Sequence, residues 1–500
     1  MRCFRVGFCF FILVGFLTGD PAYSQEMFGT TLGNYSGVNG IQLNPSSMAG
    51  SKTYLDVNLL ALDVFVQNNF LYMDKNEYRL ANFFKSGVEL PSHTEEYGNE
   101  SRNFYIYNNK NRRDFNLQLR INGPGAMLVY GNQAFAISTG IRSVISVKNL
   151  PYEMANFAYL GLNYVPQQNI NYKDNRPYKA GELTWAEIGI SYAYTFHARN
   201  LEKITAGITI RRLFGYSGFY VKGNKTDYIV PNDSTIDIHN FNGQIGYSLP
   251  VDYDNNGKWN DKLITGHGFS GDIGITYTRL SGIYTEDYFT TLCSQQYNDY
   301  LYRLGVALID IGAIRFNTHA EKYSIDDKSS YWDNVDNFHF SSIHQLMDTI
   351  SYKFYGDNKA SYRGSSFYIW LPSALSIQFD YHYFRNWYLN ASLIYGFDLS
   401  PSSVSRPSEI AITPRYESRS FEANLPVSFY DWNKLRIGLS LRYYYLTIGT
   451  EKLGQFFRIS NLSGLDLYVA LHFFIDKGNC PKSKQKGCRE IDYQIKSSHR

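Results

Sequence analysis

The apolar and polar residues of this chain alternate with a period of two over many separate stretches. Between residues 115 and 122 the odd positions are Phe, Leu, Leu and Ile, whereas the even positions are Asn, Gln, Arg and Asn. Successive side chains of a β-strand point to opposite faces, so this pattern predicts a strand with one apolar and one polar face. After Gly131-Asn132, which tolerates the positive φ of a tight turn, the alternation resumes over residues 135–142. The two stretches together predict an antiparallel hairpin.

The same alternation recurs along most of the chain, and its polar face carries charged residues in mid-strand. Further examples are residues 55–61, 186–196, 204–211, 272–278, 304–312, 375–382, 389–395, 435–442 and 465–473. Aromatic residues make up 17% of the sequence, and transmembrane β-barrels place aromatic rings at both membrane interfaces. We therefore predict an all-β fold, a transmembrane antiparallel β-barrel over residues 52–476, with a polar lumen and about 14 strands.

Short and long connections alternate along the predicted barrel. Tight turns are predicted at residues 131–132, 197–200 and 385–386, and long polar loops at residues 75–111, 150–181 and 318–364. Outer-membrane barrels have short periplasmic turns and longer external loops, so this asymmetry places the long loops outside.

The N-terminus predicts export. Arg2 and Arg5 precede an apolar run over residues 6–17, and Ala22-Tyr23-Ser24 supplies small residues at a cleavage site, which together indicate a secretory signal peptide over residues 1–24. The alternative is a membrane anchor, but the run is shorter than the roughly 20 residues that a helical span needs. Residues 477–500 form a basic polar tail, predicted to lie in the periplasm. The predicted location is the cell outer membrane.

Residues 25–51 precede the first strand, are rich in Gly, Asn and Ser, and hold a single charged side chain, Glu26. The hatch residues Asn44, Pro45 and Ser46 can turn the chain and cap a short helix, because Asn suits an N-cap and Pro the first helical position. Low charge keeps the desolvation cost of burial small. We predict that this segment folds inside or across one end of the barrel as a hatch, with Asn44 bonding to backbone groups near a polar strand face. The alternative is an ordinary loop.

Eight charged residues on the polar strand faces are assigned to the lumen. They are Arg120, Arg142, Glu187, Arg211, Asp272, Arg436, Arg442 and Asp466. One interpretation is a selective constriction built from charged side chains. The other is structural: the charges pair with one another and hold the lumen shut.

Candidate chemistry beyond the lumen is sparse. The sequence contains no Gly-x-Ser-x-Gly, His-Glu-x-x-His, phosphate loop or Cys-x-x-Cys motif, so we expect neither enzymatic activity nor a cofactor. Asp252, Asp254 and Asn256 have the spacing of a calcium loop, but Leu263 stands where the bidentate Glu is needed. The alternative to a weak calcium site is a solvated turn.

Cysteine usage and net charge add two further expectations. Cys480 and Cys488 lie in the polar tail of an exported chain, where we predict a disulfide that leaves Cys293 over. The formal net charge of +3 gives no case for nucleic-acid binding.

Several stretches resemble an uncharacterised outer-membrane β-barrel family of Bacteroidota, catalogued as a domain of unknown function. They are GNYSGVNG at 33–40 with NPS at 44–46, GFSGDIG at 268–274, LIDIG at 308–312, IGTEKLG at 448–454 and SGLD at 463–466. The Asn44-Pro45-Ser46 element is also similar to an Asn-Pro-Ala element near the start of long-chain fatty-acid-transporter barrels and of a shuttle component of type IX secretion. The resemblance implies a barrel in outer-membrane lipid and implies no substrate.

Two functions remain open from the sequence. The first is a transporter or channel for hydrophobic or small polar solutes, indicated by the hatch. The second is a non-transport interaction or scaffold barrel with a periplasmic or secretion partner, indicated by the long loops and the tail. A continuous tunnel or lateral gap would favour the first, and a lumen packed shut would favour the second.

Overall fold

A computed structural model describes most of the chain. The described residues are 26–78, 80, 82, 90–94, 101–199, 201–254, 262–281, 300–335, 338, 340–432 and 434–475, with the backbone alone at 197–199 and 434. The predicted signal peptide, Asn256, Cys293, Cys480, Cys488 and the tail over residues 477–500 lie outside these ranges and stay predictions.

Fourteen antiparallel strands among the described residues close into a barrel. In chain order they are β1 (Leu55–Asn68), β2 (Arg113–Asn122 and Gly125–Tyr130), β3 (Gln133–Leu150), β4 (Tyr178–Arg199), β5 (Glu202–Asn232), β6 (Thr235–Ser248 and Gly266–Leu280), β7 (Tyr300–Phe316 and Ala320–Trp332), β8 (Tyr362–Gly364, Phe367–Trp370 and Ala374–Phe384), β9 (Trp387–Gly396), β10 (Glu409–Glu417), β11 (Phe421–Asn424 and Val427–Tyr430), β12 (Lys434–Ile437 and Leu439–Tyr443), β13 (Leu446–Thr450) and β14 (Gly464–Ile475). Val64 of β1 faces Leu119 of β2 on one side and Leu467 of β14 on the other, which closes the sheet. The predicted fold class is confirmed.

The alternation of the sequence becomes the two faces of a single curved sheet. On β4 the side chains of Ile188 and Ile190 are 48% and 68% exposed on the outer face, as an apolar surround requires. On the inner face of the neighbouring strands, Arg142 and Arg211 are buried. Because the wall is one sheet thick, a side chain buried against other protein atoms lies on its inner face.

The two ends of the barrel differ in their connections. Short turns at residues 131–132, 385–386 and 444–445 lie at one end, called here the turn end, and the long connections that follow β1, β3 and β7 lie at the other, the loop end. The connection between β6 and β7 is also long but begins and ends at the turn end, beside Leu201. Gly131 and Arg385 have φ values of 60° and 48°, which suits tight hairpin turns.

Two predicted loops are wrong in part, because they contain regular structure. The connection between β3 and β4 holds helix α2 (Tyr152–Leu160), and residues 318–364 hold the second part of β7 and helix α3 (Ile343–Tyr355). Ser342 caps α3 by accepting a hydrogen bond from the Gln345 backbone nitrogen. The loop-end part of β5, the first part of β6 (Thr235–Ser248) and the second part of β7 (Ala320–Trp332) project beyond the barrel end. There the wall packs against α2 and α3 instead of enclosing the lumen.

Inside the barrel lies the chain ahead of β1, with helix α1 (Phe28–Thr31) and two 3-10 helices, Gly37–Gln42 and Pro45–Gly50. Helix α4 (Leu453–Phe456) lies in the connection between β13 and β14. Among the described helices, none is long and apolar enough to cross a membrane.

Candidate functional site: the plugged lumen

Residues 26–54, called here the plug, fill the turn-end half of the lumen. Asn44 begins the second 3-10 helix as its N-cap: its side-chain oxygen accepts from the Ser46 backbone nitrogen at 3.0 Å and from the Ser46 hydroxyl at 2.6 Å. Pro45 occupies the first helical position, where a missing N–H removes nothing. The cap therefore fixes the turn by which the plug crosses the barrel.

Asn44 contacts the barrel wall through its side chain. Its side-chain nitrogen donates to the Thr276 hydroxyl of β6 at 3.3 Å, and the Ser46 hydroxyl lies 2.6 Å from the same oxygen. The prediction was a bond from Asn44 to backbone groups near a polar strand face, and the Ser46 backbone nitrogen is such a group. The backbone groups of the strand itself are already used by the ladder of the sheet. The contact is therefore made between side chains.

The plug lies close against two inward-facing glycines of the wall. A β-carbon at Gly207 of β5 would lie 2.5 Å from the Pro45 carbonyl carbon and the Ser46 nitrogen, and one at Gly274 of β6 would lie 2.2 Å from the Asn44 side-chain oxygen. At Gly207 the close atoms belong to the plug backbone, which has no room to give, so this position needs glycine for the plug to dock. At Gly274 the close atom is the Asn44 side-chain oxygen, so a larger residue there would displace the N-cap side chain.

Apolar packing and a few polar bonds hold the rest of the plug. One cluster of buried residues joins its 3-10 helices to β2, β3 and β4 and comprises Val38, Ile41, Met48, Ala49, Met127, Val129, Ala134, Ala136 and Ala193. Lys52 pairs with Glu417 at 2.9 Å, and the Lys203 ammonium donates to the Ala49 carbonyl at 2.7 Å. The plug is thus pinned around much of the wall.

Five of the predicted lumen residues come together in the centre of the barrel, and three lie elsewhere. Arg120, Arg142, Glu187, Arg211 and Asp272 are in the first group, and Arg436, Arg442 and Asp466 in the second, on β12 and β14. In the second group Arg436 pairs with Glu409 at 2.5 Å and Arg442 with Glu422 at 3.1 Å. Asp466 accepts from the Glu451 backbone nitrogen at 2.8 Å.

Asp310 is the centre of the first group. Its two carboxylate oxygens accept from Arg142 at 2.7 and 2.8 Å, in the bidentate geometry of a strong pair. Arg211 lies 3.8 Å from the same carboxylate and 2.5 Å from Asp272. The Asp310 backbone nitrogen donates to Asp272 at 2.8 Å, and its φ of 57° marks an irregularity in β7. That irregularity turns the side chain into the lumen.

A further arginine, Arg406, joins this group from the loop between β9 and β10. Arg406 donates to both carboxylate oxygens of Glu26, with its nearest nitrogen 2.7 Å from each, and to Asp310 at 3.1 Å. All three side chains are 7% exposed or less. The pair therefore joins the tip of the plug to a connection that enters from the loop end.

Sequence reasoning missed both Asp310 and Arg406 as lumen residues. Asp310 lies within the LIDIG stretch, but the local irregularity reverses the alternation there. Arg406 follows no strand pattern, and the one available signal was Glu26, a lone charge in a segment otherwise free of it. A buried charge needs a partner, so Glu26 implied an unseen cation.

One side of the loop-end half of the lumen, formed by β3, β4, β5, β7 and β8, is apolar. Its buried cluster comprises Val144, Leu183, Trp185, Leu213, Tyr220, Ile314, Phe316, Ala320, Phe367, Ile369, Leu371 and Val404. At its boundary with the charged group, the Arg142 guanidinium lies 4.8 Å from the Trp185 ring centre and the Trp185 indole donates to Glu187 at 2.8 Å. The lumen therefore changes from apolar to charged over a single side chain.

Between plug and wall, the described residues line a polar cavity of about 10 Å³. It lies among Gln42, Arg120, Asn122, Arg142, Glu187, Arg211 and Asp310. Arg120 donates there to the Gln42 side chain at 2.5 Å. A volume of this size holds about one water molecule. In this conformation the described part of the lumen is closed.

The calcium candidate lies outside the barrel, beneath α3. The Asp254 backbone nitrogen donates to the Asp252 carboxylate at 3.0 Å, while the Asp254 carboxylate lies 2.7 Å from Nδ1 of His344. The other ring nitrogen of His344 lies 2.9 Å from Glu321. Burial lowers the pKa of His344, but the hydrogen bonds to Asp254 and Glu321 outweigh it and raise that pKa above 6.5. Because Asn256 lies outside the described residues, calcium binding stays a prediction.

The architecture defines a class: a closed, internally plugged β-barrel whose outer face is apolar, as in transmembrane barrels. The chain belongs to a family of unknown function, DUF5723, whose model matches residues 45–451. A search of curated proteins found no match.

Several solved structures of outer-membrane channels are similar to this chain. The deltaS2 mutant of the TodX monoaromatic hydrocarbon channel has a TM-score of 0.39 and 9% identity, covering 88% of this chain and 95% of that one. The CymD monoaromatic hydrocarbon channel has a TM-score of 0.32 and 9% identity, covering 91% of this chain and 98% of that one. A FadL homologue from Pseudomonas aeruginosa has a TM-score of 0.26 and 9% identity, covering 91% of this chain and 97% of that one.

Proposed function

We propose that the protein is an outer-membrane passage for small hydrophobic solutes, closed at rest by the plug. The observation that carries the proposal is the apolar cluster inside the loop-end half of the lumen. Water-filled barrels have polar interiors, so an apolar lining next to the external face suits a solute that prefers to leave water.

Val404 is the member of this cluster that the wall does not supply. It comes from the loop between β9 and β10 and is 1% exposed. Burying a valine side chain contributes about 1.5–3 kcal/mol. A hydrophobic solute that takes the place of Val404 gains a similar free energy of burial, so this displacement costs little. Displacement of Val404 by water costs the full free energy of burial of its side chain.

The proposal places the barrel in the outer membrane of a bacterium, with Bacteroidota as the expected source, and assigns it no catalytic activity. Its partners are the surrounding lipid and the solute. The described charges that face one another in pairs support a gate more than a filter, because a filter needs charges that are available to solutes.

The plug is tested by deleting residues 32–47, which contain the whole first 3-10 helix and the first half of the second. The deletion should raise permeability to small antibiotics, because nothing else described in the turn-end half fills the space between the inner strand faces. Outer-membrane fractionation and heat-modifiable gel mobility serve as controls for folding and abundance. Unchanged uptake in a correctly folded deletion would reject the passage.

A second candidate function, the non-transport interaction barrel, is favoured by the closed lumen and by the wall of β5, β6 and β7 that projects beyond the loop end with α3 packed on it. In that case the plug serves to fill a barrel too wide for wall side chains alone. If this second function holds, deleting α3 abolishes capture of the partner and leaves the uptake of hydrophobic solutes unaffected. The passage instead predicts that the uptake of hydrophobic solutes falls when larger side chains fill the apolar cluster.

A further inference from the structure

The loop between β9 and β10 makes two different contacts through residues that are separated by a single residue. Residues 403–408, called here the strap, run inside the barrel. Val404 belongs to the apolar cluster, and Arg406 holds Glu26 at the tip of the plug. One short segment thus touches both the proposed solute seat and the plug.

We infer that a hydrophobic solute entering the apolar cluster releases the plug by moving the strap. The inference rests on the proposed function and adds its regulation. A solute that takes the place of Val404 pulls Arg406 away from Glu26 and Asp310, and the tip of the plug loses its ion pair. The passage would therefore open when its own solute is bound, and would stay closed to water-soluble compounds.

The distances make the coupling tight. Consecutive Cα atoms are about 3.8 Å apart, so a shift of Val404 by a few ångströms cannot be absorbed by the single residue between it and Arg406. An ion pair is lost once nitrogen and oxygen separate beyond about 4 Å. Because the Arg406–Glu26 contacts are 2.7 Å, a movement of the Arg406 guanidinium by roughly 2 Å away from Glu26 is enough to break them.

The strap is held by contacts that can yield. The Val404 nitrogen donates to the Trp370 carbonyl at 3.2 Å, the Ser405 nitrogen to the Ser146 hydroxyl at 2.9 Å, and the Lys179 ammonium to the Ser403 carbonyl at 2.9 Å. These are single bonds from separate strands, without the continuous ladder of a sheet. The strap can therefore move without unpairing the barrel wall.

The plug contains a matched control for the Arg406–Glu26 pair. Lys52 pairs with Glu417 at 2.9 Å at the root of the plug, close to β1 and far along the chain from the strap. Neutralising Lys52 removes an ion pair between plug and wall but leaves the strap untouched. If the strap couples the two sites, the two neutralisations must differ in their response to solute.

The experiment uses the full chain with Cys293, Cys480 and Cys488 replaced by Ser and Thr30→Cys as a reporter on α1. Thr30 is 6% exposed, so a maleimide labels it only when the tip of the plug leaves its place. Bromobenzene serves as the hydrophobic probe. It quenches tryptophan fluorescence, and the part of the quenching that disappears in Trp185→Phe reports its binding in the apolar cluster.

In the reporter background, bromobenzene should quench Trp185 and raise the labelling rate by at least about tenfold. Arg406→Gln should label fast without the probe, change little on its addition, and still show the quenching. Lys52→Gln should keep the probe response. Heat-modifiable mobility checks folding, and Glu26→Gln replaces Arg406→Gln if the latter does not fold.

The outcomes separate the two ideas. Quenching of Trp185 with no change in labelling would overturn the coupling and leave the passage standing. Absence of Trp185 quenching in the folded protein would overturn the solute seat and therefore the proposed function. Equal loss of the probe response in Arg406→Gln and Lys52→Gln would also overturn the coupling, since the strap would then have no special role.

Discussion

Replacing Gly207 with Ala is expected to loosen the plug without unfolding the barrel. The new β-carbon would lie 2.5 Å from backbone atoms of Pro45 and Ser46, so the plug must shift away from β5. Overfilling a packed site costs about 1–3 kcal/mol. Alanine also suits a strand better than glycine, by about 0.5–1 kcal/mol, but that gain is present whether the plug is docked or not and cancels. The docking equilibrium should therefore shift about 5–150-fold.

Trypsin measures this shift directly. Lys52 is the one Lys or Arg between residues 26 and 54, and its side chain is held by Glu417. When opening and closing are fast, cleavage follows the population of the open state, so cleavage after Lys52 should accelerate by the same factor. Mass spectrometry of the released N-terminal fragment identifies the site.

Gly271→Ala is the matched control, because a β-carbon on this neighbouring strand would meet nothing closer than the Thr209 carbonyl at 3.4 Å. Both variants should keep heat-modifiable mobility. Equal cleavage rates after Lys52 in the two variants would refute the close-contact argument and with it the docked position of the plug.

Three further predictions address other parts of the molecule. Asp310→Asn should lower the temperature of barrel unfolding by an amount corresponding to about 3–5 kcal/mol, because it removes the bidentate partner of Arg142 and one buried negative charge from a group of arginines. Asp327→Asn at an exposed pair (side chain 56% exposed) should leave this temperature unchanged within error. The docking of α3 should be strongest below pH 6.5 and weaken as the pH rises through the raised pKa of His344; proteolysis of α3, normalised to a peptide at each pH, should lose this dependence in His344→Gln. Native, unreduced protein should show no thiol labelling at Cys480 or Cys488, and labelling of both would contradict the predicted disulfide.

The strands were predictable from sequence because their cause is local. In a barrel wall one sheet thick, each residue faces either the apolar surround or the interior, so the order of residues 115–122 and 135–142 already records the two faces of a hairpin, which the structure confirms. The parts of β5, β6 and β7 beyond the barrel escaped the prediction because that one-sided environment ends there. The helix α3 was missed although its sequence carries a helical signal: Ser342 caps it, and Ile343, Met347 and Ile350 recur at helical spacing on the face that packs on the projecting wall.

The centre of the lumen depends on contacts between residues far apart in the chain. Glu26, Asp310 and Arg406 are far apart in the sequence, and the docking of the plug together with the entry of the strap into the barrel brings them within hydrogen-bond distance. The sequence by itself determined a barrel with charges on its inner face and a nearly uncharged segment ahead of it. Which charges meet, and the apolar side of the lumen, were decided by the tertiary structure, because strand register and the entry of the strap set them and no local periodicity encodes either.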